Sequence, residues 1–81
     1  MNVEKLMDGL DKIYGPGRGV GVYMTIIPGI LADFDKMLAK AGPDSEVTEE
    51  YRLEDGRGAV FMKGKVSPSG EKEIEAELVV K

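Results

Sequence analysis

Residues 15–30 read GPGRGVGVYMTIIPGI, and the conformation of this stretch decides how the rest of the chain is arranged. Its second half, Gly19 to Ile27, is apolar at odd and even positions alike and rich in β-branched and aromatic side chains. Such a run predicts an interior strand covered above and below, stopped by Pro28. The first half sets Gly15, Gly17, Gly19 and Gly21 at alternate positions. A dinucleotide-binding loop runs strand, G-x-G-x-x-G, helix, so that the pyrophosphate meets a helix N-terminus. Here the expected order is helix, glycines, strand, and no Lys-Ser or Lys-Thr follows to complete a phosphate loop. The glycine segment therefore reads as a flexible joint, with an anion contact at Gly17, Arg18 and Gly19 as the alternative.

On either side the apolar spacing is helical. Val3, Leu6, Met7, Leu10 and Ile13 form one stripe, with Asn2 as N-cap and Gly15-Pro16 as terminator. Ile30, Leu31, Phe34, Met37, Leu38 and Ala41 form a second, closed by Gly42-Pro43.

From Val47 onward the period is two, and two turns fix a register. Asp55-Gly56 is a two-residue hairpin turn that sets Leu53 opposite Gly58, Tyr51 opposite Val60 and Val47 opposite Gly64. Pro68-Ser69-Gly70 is a three-residue turn that pairs Val66 with Lys72, Gly64 with Ile74, Met62 with Ala76 and Val60 with Leu78. The two turns, read separately, put the same apolar set on one side. They place Lys65 beside Glu73 and Glu46, Lys63 beside Glu75 and Arg57 beside Glu54 on the other side, a ladder of opposite charges. The expectation is one α+β domain over residues 1–81, in the order α-β-α-β-β-β. Its four-stranded, mainly antiparallel sheet carries both helices on one face, and the first strand flanks either outer strand of the meander.

Composition narrows the function. A chain of 81 residues hides only a little over ~60% of its unfolded surface, so its core is small. Cysteine and histidine are both absent, which removes disulfides, thiolate zinc sites, the commonest general base and the usual pH switch. No enzyme activity, cofactor or metal site is expected. The net charge of −4 has the wrong sign for direct nucleic-acid binding. The first residues, MNVEKLMDGLDK, have no apolar signal region and no apolar run approaches a membrane span, so the expected location is cytoplasmic.

Few side chains stand out. Phe61 points to the charged side of the meander with Ala59 and Val79, and Tyr23 joins them if the first strand lies alongside. Glu49 breaks the pattern the other way, pointing inward between Val47 and Tyr51, as an inward charge that guards an edge strand does. Glu73, Glu75 and Glu77 share a face, but lysines opposite two of them favour a structural ladder over chemistry. Asp33 and Asp35, about 200° apart around a helix, diverge. The expected role is a small non-catalytic interaction or regulatory protein working through protein-protein contacts, as a homodimer or with a partner protein, through the Phe61 face or a free strand edge. The alternatives are an acidic inhibitor of a nucleic-acid-handling protein, since residues 45–81 hold nine acids against six bases, and a small-ligand or anion binder at Gly15–Gly21.

Overall fold

The segment GVGVYMTII is helical. A computed structural model describes residues 2–80, with elements α1 (Val3–Tyr14), α2 (Gly19–Ala41), β1 (Ser45–Arg52), β2 (Gly58–Val66) and β3 (Lys72–Val80). The order is α-α-β-β-β and the sheet has three strands, so the expected fourth strand and the α-β-α opening are corrected. Tyr23, Ile27, Ile30, Leu31, Phe34 and Leu38 make one stripe at helical spacing that runs straight through Pro28. β-branched residues lower helix stability by at most ~0.7 kcal/mol each, whereas burying a side chain such as Ile27 contributes roughly 1.5–3 kcal/mol. The stripe outweighs the local preference.

Pro28 lies inside α2 on its exposed side. It cannot donate to the Met24 carbonyl, and that carbonyl belongs to a residue 70% exposed, open to solvent. Pro28→Ala restores the missing bond at a position with no packing to lose. It is expected to raise stability by about 1–2 kcal/mol in urea unfolding, below the ~3 kcal/mol of a proline in an isolated helix because the carbonyl left unpaired belongs to a solvent-exposed residue.

The first helix forms as its sequence dictates. Asn2 accepts the Lys5 amide at 3.1 Å, and Gly15, at φ 116°, closes the helix by donating to the Asp11 carbonyl. Four residues, Gly15 to Arg18, then turn the chain into α2.

The meander has the derived register at every pair, including Tyr51 with Val60, Val47 with Gly64, Met62 with Ala76 and Val60 with Leu78. The sheet order is β1-β2-β3, which leaves β1 and β3 as edges. α1 packs on β3, and α2 packs on β1 and β2. Leu6, Ile27, Phe34, Leu38, Val60, Met62 and Val66 form the buried core between the layers. Gly64 lets α2 come close, since a Cβ there would stand 2.6 Å from Leu38 Cδ2 and 2.8 Å from Phe34 Cε2.

Candidate functional site

The glycine segment is a joint, but it feeds a helix rather than a strand, so a helix N-terminus does face it. That N-terminus is occupied from within. The Gly19 amide donates to the Asp11 carboxylate of α1, which sits where an external anion would bind. Gly19 is buried in this contact, and a Cβ would collide with the Met7 carbonyl oxygen. Of the expected anion contacts, Gly17 is exposed at φ 78°, and Arg18 is exposed with no carboxylate within 4 Å among the described residues.

The outer sheet face is only partly as expected. Phe61 and Val79 are on it, 40% and 43% exposed. Ala59 is on it but buried, a single methyl set between the larger Arg52 and Val79. Tyr23 is not on it, because it belongs to α2 and packs against the core from the opposite layer. Phe61 stands directly between Glu50 on β1 and Glu77 on β3. Its apolar surroundings are therefore broken by carboxylates. The charge ladder has the derived pairings of Lys65 with Glu73 and Lys63 with Glu75, although the ion pair that closes is diagonal, Lys63 to Glu46 at 3.5 Å. Arg57 turns from Glu54 to Asp55 at 3.6 Å, donates to the Ile13 carbonyl at the end of α1 and stacks over the Tyr14 ring. Glu49 points inward as derived, half-buried on the edge strand β1 opposite Met62, with no cation within 4 Å among the described residues.

One polar link ties β1 to α2. The Tyr51 hydroxyl donates to Asp33 Oδ2 at 2.7 Å. Burial first, and this hydrogen bond second, push the Tyr51 hydroxyl well above the ordinary tyrosine value of 10.0. An unfolded tyrosine ionises near pH 10 while folded Tyr51 keeps its proton, so the unfolded state binds fewer protons and stability falls as pH rises beyond 10. Unfolding titrations between pH 9 and 11.5 are expected to show a shallower alkaline decline for Tyr51→Phe than for the parent. An unchanged slope would show that Tyr51 does not make this link.

A surface that the strand reading concealed lies on α2. Val20 and Met24 are 51% and 70% exposed, and Gly21, Thr25, Pro28 and Gly29 are exposed beside them. The Thr25 hydroxyl is turned back onto the Gly21 carbonyl at 2.8 Å, which leaves its methyl to solvent. Nothing lies within 4 Å of a Cβ built at Gly21 or Gly29. From Gly19 to Ala32 the chain has no charged residue, in a protein whose residues are 32% charged. In the sequence the same face is the uncharged interval over residues 19–32 taken at a period of 3.6.

No known family, curated protein or solved structure matches this chain. Among the described residues no three His, Cys, Asp or Glu side chains are grouped to hold a metal ion, and no described helix is long and apolar enough to cross a membrane.

Proposed function

We propose that this chain is a non-catalytic interaction module that works by contact with another polypeptide, through the outward face of the N-terminal half of α2. The observation that supports the reading is the exposure of Val20 and Met24 on an uncharged helix face. Exposed apolar side chains in a contiguous patch mark contact surfaces, whereas scattered ones do not. Phe61 is a weaker anchor, since Glu50 and Glu77 flank it and desolvating them opposes burial of the ring.

Site-specific photo-crosslinking in the cells that make the protein tests the reading. A photoreactive residue in place of Met24 is expected to yield covalent protein adducts, and the same residue in place of Glu77, on the outer sheet face, to yield few. Equal or absent labelling at the two positions would overturn the proposal.

A further inference from the structure

The two free edges of the sheet, β1 and β3, turn unpaired backbone groups outward. On β1 the Leu53 amide donates to the Gly58 carbonyl at 2.9 Å. By antiparallel alternation Val47, Glu49 and Tyr51 then bond to β2, while Glu46, Thr48, Glu50 and Arg52 direct N–H and C=O away from the sheet. Among the described elements α2 alone of the helices packs on β1, and it leaves Val47, Glu49 and Tyr51 half-buried on the inner side, so the edge is not closed over.

When two such edges pair antiparallel, outward-bonding residues stand opposite outward-bonding residues. Centred on Glu49, the pair uses the whole strand: Glu46 stands opposite Arg52 at both ends, Thr48 opposite Glu50, and Val47 opposite Tyr51 on the inner face. Centring on Thr48 sets Glu46 against Glu50 twice, centring on Glu50 sets that residue against itself, and registers further out pair fewer residues. β1 therefore complements its own reverse except at one point. There Glu49 of one copy meets Glu49 of the other, at a closely spaced pair with Cα atoms about 4.5 Å apart. β3 has no equivalent, since pairing two copies about its middle residue, Ala76, sets Glu75 against Glu77 twice.

Nothing close to Glu49 offsets its charge. β2 places Met62 opposite it, and Val47 and Tyr51 flank it on β1. The charged residues of α2 are Asp33, Asp35, Lys36 and Lys40. Asp33 accepts from Tyr51, Asp35 pairs with Lys72, and neither lysine has a carboxylate within 4 Å among the described residues. Two ionised Glu49 side chains repel across the pair, whereas one proton between them joins them in a charge-assisted O–H···O hydrogen bond.

We infer that β1 is a self-pairing edge: two copies join antiparallel about a twofold axis at Glu49 into one continuous sheet, and the charge on Glu49 decides whether they do. This surface differs from the α2 face, and the inference stands independently of that reading. Eight strand residues bury a few hundred Å² per copy, under the ~800 Å² of a standard interface, so the pair is weak and reversible. Each pair formed takes up one proton from solvent, so association strengthens as pH falls, by up to ~10-fold per pH unit while Glu49 of the single chains is ionised.

Sedimentation equilibrium from about 10 µM to about 1 mM reads the outcome. The parent chain is expected to be monomeric at pH 7 and to associate toward pH 5. Glu49→Gln is expected to associate already at pH 7 and to change less than ~3-fold over the same window. In the Glu49→Gln background Arg52→Glu is expected to weaken association ~10-fold, and adding Glu46→Arg to restore it, because both residues are exposed and the cross-strand pair is only reversed. Met24→Glu is expected to leave the association unchanged. The chain has no cysteine, so single introduced ones report the geometry. Glu49→Cys, which also removes the charge, is expected to form a disulfide dimer under mild oxidation. Glu46→Cys is not, because the two sulfurs stand about 20 Å apart along the strands, beyond disulfide reach.

A Glu49→Gln chain that stays monomeric throughout, with Glu49→Cys unlinked, overturns the inference and leaves the α2 proposal untouched. Association that the exchange of Glu46 and Arg52 charges does not restore, or that Met24→Glu abolishes, places the contact elsewhere and overturns it as well. Equal pH dependence in the parent and in Glu49→Gln removes Glu49 as the deciding charge. If Glu49→Gln pairs as described while photo-crosslinks at position 24 fail to form, the α2 reading falls and this one stands.

Discussion

Phe34→Ala is expected to cost about 3–5 kcal/mol of folding stability, the range for emptying a large aromatic site in a packed core. Phe34 is fully buried on α2, and its ring reaches the position where Gly64 of β2 lacks a side chain. No neighbour fills that space easily, because Leu38 already occupies the other side of the Gly64 gap and Ile27 sits two turns away on the same stripe. An 81-residue domain has about 4–12 kcal/mol in total, so the variant is expected to be largely unfolded at modest urea concentrations. Phe34→Leu keeps most of the volume and is expected to lose less than ~1.5 kcal/mol. A Phe34→Ala loss under 1 kcal/mol would show that the ring is not at the centre of the core.

Gly19→Ala is expected to lose about 3 kcal/mol, against the usual sign. Gly19 opens α2, and alanine in place of glycine at a backbone conformation it can adopt normally gains about 0.4–1 kcal/mol. At Gly19 the added methyl collides with the Met7 carbonyl oxygen, which is backbone, and with the Asp11 carboxylate, which caps the helix. Relief requires α1 and α2 to separate, which costs packing at Leu6 and Leu10 as well as the charged hydrogen bond to the Gly19 amide. Gly21, two residues on, faces open space, and Gly21→Ala is expected to gain about 0.5–1 kcal/mol. Urea unfolding of the two variants therefore separates by roughly 4 kcal/mol. If both gained, the close approach of the helices at Gly19 would be wrong.

The parts of the fold that the sequence made legible are those governed by local geometry. Asp55-Gly56 and Pro68-Ser69-Gly70 each admit few backbone paths, so loop length alone set the register of all three strands. Asn2 and Gly15 likewise bounded α1. Gly19 to Ile27 misled because strand preference and proline both argued against helix there, while the deciding energy was tertiary: the stripe from Tyr23 to Leu38 needs the face of β1 and β2. The site readings divided the same way. Phe61, Val79 and Glu49 followed from register and point as derived. Tyr23 followed from the strand assignment and lies in the opposite layer, and Ala59 has the right direction but neighbours large enough to hide it. The uncharged face of α2 follows only from the helix, since apolar residues on two sides fit a doubly covered strand as well as a helix with one face packed and one bare.

The packing of α1 on β3 joins the earliest element of the chain to its latest, with Gly9 closely approached by Leu78. During synthesis the helical hairpin leaves the ribosome before β3 does, and until that strand arrives the side of α1 around Gly9 that packs on it lies open. Nascent chains halted before residue 72 should thus stay protease-sensitive along α1, whose full protection should come only once β3 has emerged.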